Sequence, residues 1–457
     1  MKPRSLWHFG QATFFLIDYV LLWAAAVCAF TLTPHLQEDI LNGIWLQPDL
    51  RLVGYVMPLF MALGLQLVGV QRNRAGFRSA EVLVQTLSGL AAGMFVFVLL
   101  HAVLEFSLIG RFVLGFSLLY GMAFILGSRM LIWKLAEHDS RRVLVYGSQA
   151  TYETVAGRLA TSRLPICLAG HVRLESLLPD VPGAFASLRR LGLFAHCEQV
   201  GAEEIVVEVP DALSPAEREA LLYCTGMGIR VADLGLFFER EFERVYMSGL
   251  RESWFWGYDP AYAHPVYFAA KRALDITVSL AGLMVFAPLA PFVVFLIKLQ
   301  DGGPVVYSQM RVGLHNRPFR IYKFRTMRTD AEKDGACWAA KGDARVTRLG
   351  RFLRKTRIDE VPQFWNILSG EMSFVGPRPE RPEFVEVIER EVPFYRYRHL
   401  IKPGLTGWAQ VNYSYGASIA DAREKLAYDL YYMKYASITR EMHIVLRTIV
   451  AMVRGAR

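Results

Sequence analysis

Four long apolar runs near the start of the chain constrain its fold more than any other feature. They cover about residues 13–32, 52–70, 82–104 and 112–133. Each is close to the ~20 residues that a helix needs to cross a bilayer. No small-residue cleavage site follows the first run, and further runs come after it, so we do not expect a removable signal peptide. The pattern predicts a membrane α-helical bundle of four spans over residues 1–138.

The charges around these runs predict how the bundle is oriented. The link after the second run and the exit from the bundle are both basic, through Arg72, Arg74, Arg78, Lys134, Arg141 and Arg142. The first link carries Glu38 and Asp39 instead. Because basic loops stay in the cytoplasm, both ends of the bundle are predicted to face that side. Asp18 in the first run is expected to bond to another helix or to reach the head groups, although intramembrane charges can also be functional.

The composition suits a membrane protein that meets anionic partners. Of the 457 residues 53% are hydrophobic, and the formal net charge is +9 at pH 7. This charge favours anionic head groups or phosphorylated substrates. No zinc-finger, RNP or basic-zipper pattern accompanies it, which argues against a nucleic-acid partner. The five cysteines show no C-x-x-C spacing, so we expect free thiols in a reducing compartment rather than disulfides or a zinc site.

Residues 139–258 change to a soluble α/β pattern. Short strands are predicted at 143–147, 204–210 and 229–232, with a helical pattern after the first. This alternation predicts a Rossmann-like domain. Of the glycines in a dinucleotide fingerprint only Gly147 is present, so a spacer or regulatory role is favoured. Phosphate binding stays an alternative, because a helix N-terminus after a strand can hold a phosphate.

A fifth apolar segment, at about 271–300, contains two prolines near its middle. Pro288 and Pro291 each remove a backbone donor and clash with the preceding turn, so a kink is expected. Basic residues flank both ends of the segment, which conflicts with a full crossing. We therefore predict a re-entrant membrane helix that returns to the side it entered, with a fifth complete span as the alternative.

The next segments supply candidate substrate-binding cations. Short strands are predicted at 304–309 and 319–327. The second strand alternates cationic and apolar residues, so Lys323 and Arg325 are expected on one face, where they could clamp a diphosphate. A strand of this kind on its own is more often a solvated surface.

An Asp-Glu pair among cations is the strongest candidate for chemistry. Asp359 and Glu360 begin an apolar-periodic segment that predicts an amphipathic helix, with Thr356 as its cap. A helix N-terminus surrounded by Arg and Lys keeps an aspartate ionised, so that it can attack phosphorus. A surface salt-bridge patch would be the better explanation of the pair if it stood alone.

Four motifs in this order resemble the signature of the bacterial sugar transferases, the monotopic-type polyprenyl-phosphate glycosyl-1-phosphate transferases. They are Lys-Phe-Arg-Thr-Met at 323–327, Asp-Glu-Val-Pro-Gln-Phe-Trp-Asn at 359–366, Gly-Pro-Arg-Pro at 376–379, and Lys-Pro-Gly-Leu-Thr-Gly-Trp-Ala-Gln-Val-Asn at 402–412. The upstream parts resemble the long form of the family, the undecaprenyl-phosphate galactose or glucose phosphotransferase type of exopolysaccharide and O-antigen systems. The resemblance implies an α/β monotopic phosphoglycosyl transferase domain over 264–457.

The resemblance also implies a two-step reaction. Asp359 would attack the sugar-bearing phosphate of a UDP-sugar, release UMP and form an aspartyl phosphosugar, which a polyprenyl phosphate then takes. Mg²⁺ would neutralise the diphosphate, held by Asp359 and Glu360. Six cations would bind the substrates, namely Lys323, Arg325, Arg354, Arg378, Lys271 and Arg272. Pro288 would break the re-entrant helix. The implied setting is the bacterial inner membrane, with the catalytic domain facing the cytoplasm and a homodimer as a possible assembly.

Two features leave alternatives open. Many relatives carry Gly-Arg after the last motif, whereas this chain has Tyr413-Ser414-Tyr415-Gly416, so any role of that Arg is in doubt here. The C-terminal segment repeats Arg440, Arg447 and Arg454 every seven residues, which indicates either a helix in the membrane interface or a solvent-facing stripe. A nonenzymatic scaffold or nucleotide-sensing subunit is the alternative function, and an inverting glycosyltransferase is a second one.

Overall fold

The computed structural model describes residues 11–31, 48–68, 80–103, 111–136, 140–162, 164–172, 186–209, 213–256, 264–331, 343–413, 416 and 418–453. Contacts between residues divide the chain into two compact units, Met1–Phe237 and Phe238–Arg457. Each unit has its own hydrophobic core.

The first unit begins with four helices at the predicted spans: α1 (Gln11–Thr31), α2 (Pro48–Val68), α3 (Ala80–Val103) and α4 (Arg111–Ala136). Thr13–Thr31 and Phe112–Ile132 are long and apolar enough to cross a membrane. The apolar segments of the other two helices, Gly54–Gln66 and Thr86–Leu100, are shorter. The chain therefore has the helices of a membrane protein, and the four-span bundle stays a prediction.

A buried ion pair joins the first and last of these helices. Both carboxylate oxygens of Asp18 accept hydrogen bonds from Nη2 of Arg129 on α4, at 2.7 and 2.6 Å. Asp18 is fully buried, so loss of one partner is expected to cost ~3–5 kcal/mol. The predicted helix–helix bond of Asp18 is confirmed. The charged links at 38–39 and 72–78 lie outside the described residues, so the orientation stays a prediction.

Four parallel strands follow in the first unit. They are β1 (Arg141–Tyr146), β2 (Ile166–Val172), β3 (Glu204–Val207) and β4 (Arg230–Asp233), in the order β2-β1-β3-β4. The helices between them are α5 (Gln149–Thr161), α6 (Ala186–Val200) and α7 (Pro215–Gly226). Three strands match the predicted ones. The sequence patterns missed β2, because Gly170 and His171 interrupt its apolar run.

The second unit starts at Phe238, inside the range 139–258 that was assigned to the Rossmann-like domain. Its first residues belong to α8 (Leu234–Phe242), and the short α9 (Ser253–Trp256) follows. Val245 lies in the core of this unit and donates its N–H to Ala427 O at 3.0 Å. Nε1 of Trp408 donates to Glu243 O at 2.9 Å. These contacts join residues far apart in the chain, which is why local patterns placed the boundary later.

The predicted break at Pro288 is confirmed. It separates α10 (Pro265–Phe286) from α11 (Ala290–Asp301), and the two helices are bent by 66°. Pro291 lies in the first turn of α11, where its missing N–H would have had no partner in the helix. The outward side chains of the pair are large and apolar, and they include Leu280, Met284, Val285, Phe292, Phe295 and Leu299.

Most of the remaining elements of the second unit are short, and its last two helices have 16 residues each. The predicted strands are present as β5 (Val306–Val312) and β6 (Pro318–Phe324), which pair antiparallel. They are followed by α12 (Arg348–Lys355), α13 (Gln363–Leu368), β7 (Ser373–Val375), α14 (Pro382–Glu391), β8 (Gly404–Thr406), α15 (Trp408–Asn412), α16 (Ile419–Lys434) and α17 (Ile438–Val453). Strands β7 and β8 pair in parallel, so they bring the Gly-Pro-Arg-Pro motif next to the Lys-Pro-Gly motif.

The expectation that the arginines of the last helix face head groups or solvent is wrong for Arg440. This residue is buried and donates to Tyr435 O at 2.6 Å. Its guanidinium carbon lies 4.7 Å from the ring centroid of Tyr431. Arg447 donates to Oδ1 of Asn412 at 2.7 Å, and Arg454 lies outside the described residues. A seven-residue repeat cannot by itself tell an inward stripe of stacked arginines from an outward one.

Candidate active site

The Asp-Glu pair lies in a 3₁₀ turn, not at the start of one continuous helix. The turn spans Ile358–Glu360, and Arg357 before it has φ of 59° and ψ of 13°, the left-handed region. Thr356 ends α12 rather than capping a following helix. The predicted helix is therefore wrong in its first part, because residues 358–360 form the 3₁₀ turn and the α-helix begins only at Gln363, after Pro362, which has no N–H to donate. The turn points both carboxylates into the protein, where each is 7% exposed.

Glu360 is the centre of a cluster of cations. Its Oε1 accepts from Nζ of Lys323 at 3.0 Å and from Nη2 of Arg378 at 2.9 Å. Its Oε2 lies 3.5 Å from Nη1 of Arg357. Strand β6, the loop after β7 and the residue before the 3₁₀ turn thus each contribute one cation. The burial of Glu360 would raise its pKa, but Lys323, Arg378 and Arg357 outweigh that and hold the pKa below its ordinary range.

Asp359 lies beside this cluster with one oxygen unused. Its Oδ1 is buried and has no hydrogen-bond partner within the described part of the chain. Burial and the neighbouring anion of Glu360 raise the pKa of Asp359 to about 6, although Lys323, Arg354 and Arg357 pull it down. A buried carboxylate oxygen without a donor is costly in a resting fold. It suits a group that must bond to something outside the protein.

Three of the six cations predicted to bind substrate lie around the Asp-Glu pair, and the other three lie elsewhere. Lys323 and Arg378 contact Glu360 directly, and Arg354 donates from Nε to Oγ1 of Thr326 at 2.9 Å. These three lie around the carboxylate pair. Arg325 follows the end of β6 and is 8% exposed, and a side chain at Gly303 would collide with its guanidinium. Of the two cations expected on a shared face, Lys323 contacts Glu360 and Arg325 lies against Gly303.

Lys271 and Arg272 hold α10 to the rest of the unit. Nζ of Lys271 bonds to Oε2 of Glu441 at 2.6 Å and to Val375 O at 3.0 Å. Arg272 donates to Ile367 O at 2.6 Å and to Leu368 O at 2.7 Å. Both cations therefore have protein acceptors in the structure, and their assignment to substrates stays a prediction.

Close backbone contact positions Arg378. Strands β7 and β8 meet so closely that a Cβ on Gly376 would collide with Lys402 O. Beyond this contact, Nη2 of Arg398 donates to Arg378 O at 3.0 Å and pairs with Asp429 at 2.8 Å. Arg398 and Asp429 are both buried. The main chain at Arg378 is thus held by a buried ion pair while its side chain reaches Glu360.

The sequence indicated Arg357 only as one of the positive charges around the Asp-Glu pair, and it gave no sign of Arg398. The adjacency of Arg357 to the Asp-Glu pair was a usable signal, but its contact with Glu360 depends on the left-handed backbone. Arg398 lies outside all four motifs, and its role follows only from the long-range pair with Asp429. No pattern in a single sequence reports such a pair.

Comparison with known proteins relates the second unit of the chain to a known family. The family model "bacterial sugar transferase" matches residues 266–455. A UDP-N-acetylgalactosamine-undecaprenyl-phosphate N-acetylgalactosaminephosphotransferase of Aeromonas hydrophila is 48% identical over 42% of this chain and 45% of its own length. A putative undecaprenyl-phosphate N-acetylgalactosaminyl 1-phosphate transferase of Bacillus subtilis is 51% identical over 29% of this chain and 74% of its length.

A third relative is the exopolysaccharide production protein PSS of Rhizobium leguminosarum bv. phaseoli. It is 43% identical over 40% of this chain and 94% of its own length. The similarity to it therefore covers nearly all of that protein, whereas the chain spans less than half the length of the Aeromonas relative. The motifs around Asp359, Arg378 and Lys402 all lie inside the matched region.

Proposed function

Because the chain belongs to the bacterial sugar transferase family, we propose that it transfers a sugar 1-phosphate from a UDP-sugar to a polyprenyl phosphate and releases UMP. The observation that carries this proposal is the unpartnered Oδ1 of Asp359 beside a cluster of cations. Nucleophile and phosphate-binding charges are then within one small site. The site suits phosphoryl transfer, in which positioning and charge neutralisation supply most of the catalysis.

Asp359 is the proposed nucleophile. One carboxylate oxygen attacks the sugar-bearing phosphorus of the UDP-sugar, the bond from that phosphorus to the UMP oxygen breaks, and UMP leaves with the electron pair. An oxygen of the polyprenyl phosphate then attacks the same phosphorus and expels Asp359, which regains its carboxylate. Each step exchanges one P–O bond for another, so no oxidant or reductant is needed.

Glu360 acts differently from its neighbour in this proposal. Its oxygens bond to Lys323 and Arg378 and lie near Arg357. It therefore holds three cations in place around the position of the transferred phosphate. Buried and ion-paired, it stays ionised while Asp359 carries the higher pKa. The two carboxylates are thus assigned separate tasks by their surroundings.

Mg²⁺ is a further proposal. Within the described residues no group of three His, Cys, Asp or Glu side chains is placed to hold a metal ion. Mg²⁺ is commonly bound by one or two carboxylates together with substrate phosphates and water, and the unused Oδ1 of Asp359 fits that pattern. Asp359 and Glu360 would hold the ion, with Glu360 the weaker donor because of its cations. When bound, the ion would neutralise charge on the diphosphate.

The bent helix pair is proposed to be re-entrant. The 66° bend at Pro288 and the exposed apolar side chains support this placement. Lys271 and Arg272 near the start of α10 bond to the catalytic fold, and β5 directly after α11 is part of the same unit. A hairpin returning to the entry side keeps both contacts on the cytoplasmic face of the inner membrane, where a UDP-sugar and a membrane lipid can meet.

The parallel sheet of the first unit is proposed to be a Rossmann-like spacer without a nucleotide. The N-terminus of α5, where such folds bind a phosphate, already has an anion. Glu208 accepts from the N–H of Ser148 at 2.6 Å and from Oγ1 of Thr151 at 2.5 Å. Its carboxylate therefore stands where a phosphate would bind, which supports the spacer role over nucleotide sensing.

Asp359→Asn tests the central claim. An amide cannot form the covalent intermediate, so UMP release should fall to background while the thermal unfolding midpoint stays near that of the wild type. Asp330→Asn, at an exposed aspartate of the same unit, is the matched control and should keep full activity. UDP-N-acetylgalactosamine and UDP-glucose should be compared as donors, with polyprenyl phosphate as acceptor. Near wild-type UMP release by Asp359→Asn would show that Asp359 is not the nucleophile.

The covalent intermediate has its own test. Wild-type protein mixed with the preferred UDP-sugar, and no acceptor, should gain the mass of one phosphosugar, and later addition of polyprenyl phosphate should remove it. UMP formation that strictly requires the acceptor, with no mass gain, would favour direct transfer between the two substrates.

A further inference from the structure

A second group of cations lies near the start of α10. It consists of Lys271, Arg272 and Lys402, the last from the Lys-Pro-Gly motif before β8. Two of these have protein acceptors, since Lys271 bonds to Glu441 and Arg272 bonds to carbonyl oxygens at the end of α13. Lys402 differs from them in its bonding.

Lys402 has no bonding partner for its ammonium group. In the part of the chain that the structure describes, no acceptor lies within hydrogen-bond or ion-pair distance of its Nζ. The side chain is half-buried. Burial lowers its pKa, and so do the nearby charges of Arg272 and Lys271, while Asp275 acts in the opposite direction. A half-buried cation among like charges is unfavourable unless an anion joins it.

The space for an anion lies beside Gly370. The residue has φ of 86° and no side chain. A Cβ built on it would lie 3.6 Å from Nζ of Lys402 and 4.0 Å from Nη2 of Arg272. The two cations thus approach the same small volume from different elements. An oxyanion there could accept from the ammonium and the guanidinium together, as phosphates commonly do.

The outer face of α10 indicates what carries the anion. Val266 is 82% exposed and Phe268 is 56% exposed, and both lie in the turn of the helix before Lys271 and Arg272. Exposed apolar side chains and cations on neighbouring turns of a helix are typical of the boundary between acyl chains and head groups. A phosphate attached to a membrane lipid would reach Gly370 from this level.

We propose that Lys402 and Arg272 bind the phosphate group of a membrane lipid beside Gly370. The cations of this site differ from those around Glu360, since Lys402 and Arg272 bond to neither Asp359 nor Glu360 in the described structure. Two lipids share this chemistry. One is an anionic phospholipid that anchors the catalytic unit. The other is the polyprenyl phosphate acceptor, and this second assignment rests on the proposed function.

Binding of defined lipids to the full-length protein in neutral detergent micelles tests the proposal without turnover. Three probes are titrated separately: phosphatidylglycerol, polyprenyl phosphate and inorganic phosphate. Wild type is compared with Lys402→Gln, which removes the charge, and with Lys402→Arg, which keeps it. Lys298→Gln is the matched control, because this lysine also belongs to the helix pair but bonds to Gly302 O at 3.3 Å. Thermal unfolding midpoints confirm that the variants are folded.

Lys402→Gln should weaken the binding of one lipid roughly fivefold, the effect of one basic residue at a membrane surface. Lys402→Arg and Lys298→Gln should bind as the wild type does. Loss with phosphatidylglycerol alone identifies an anchoring site, and loss with polyprenyl phosphate identifies the acceptor. Unchanged lipid affinities, or an effect on inorganic phosphate only, would overturn the proposal. None of these outcomes depends on UMP release, so failure here is distinct from failure of the proposed function.

Discussion

The pKa of Asp359 predicts an acid limit on the first step of the reaction, and Glu360→Gln is predicted to move it. Asp359 must be ionised to attack phosphorus. Burial and the adjacent Glu360 anion raise its pKa to about 6. The rate should therefore fall as the pH drops through about 6, instead of near 4 as for an ordinary aspartate.

The size of the effect follows from the ionised fraction. With a pKa of about 6, about a tenth of the molecules carry an ionised Asp359 at pH 5, so the rate there should be about a tenth of the plateau. Glu360→Gln removes a negative charge that raises this pKa. It also releases Lys323 and Arg357, which then act more strongly on Asp359. The midpoint should move to lower pH in the variant, although its plateau rate should be far below that of the wild type.

The assay is UMP release in a single turnover without acceptor, measured at subsaturating UDP-sugar over a range of pH. Leaving out the polyprenyl phosphate matters, because a phosphate monoester itself titrates near pH 6. Glu389→Gln is the matched control, since this glutamate pairs with Arg396 on the surface of the same unit. Its midpoint should equal that of the wild type.

Two results would refute the reasoning. A wild-type rate that stays level down to about pH 5 would mean that the carboxylate is not protonated in this range, so burial does not dominate its pKa. A midpoint that stays in place in Glu360→Gln would mean that the charge of Glu360 does not act on Asp359. Loss of the folded state at low pH is checked separately by tryptophan fluorescence.

Three further predictions concern the parts around the site. The first uses a protein without native cysteines, into which a single cysteine is placed at Ala270 or at Ser308. Both cysteines should react with a membrane-impermeant thiol reagent only from the cytoplasmic side. Periplasmic labelling of Ser308→Cys would contradict the re-entrant helix. A truncation that begins at Phe238 should keep UMP release, whereas one that begins at His264 should have a lower thermal unfolding midpoint, because it lacks residues that pack into the core; equal midpoints would show that these contacts are dispensable. Glu208→Ala should let inorganic phosphate raise the unfolding midpoint, and an equal rise in the wild type would show that this carboxylate does not exclude anions.

Much of the fold was predictable because its signals are local. The membrane-type helices follow from continuous apolar runs, the break at Pro288 follows from a missing backbone donor, and strands β1, β3 and β4 follow from short apolar segments. The boundary at Phe238 was not predictable in this way. It depends on contacts such as that of Glu243 with Trp408, which are set by tertiary packing.

In the candidate site, too, some features follow from the sequence and others only from tertiary packing. The sequence by itself determined which residues are available: Asp359 and Glu360 side by side, and cations in motifs whose order marks the family. Only the tertiary structure decided their tasks. A left-handed Arg357 and the convergence of Lys323 and Arg378 on Glu360 leave the neighbouring Asp359 with an unpartnered oxygen. The physical reason is that burial and charge–charge distances set the pKa and the bonding of each carboxylate, and both arise from chain segments that meet only in the folded protein.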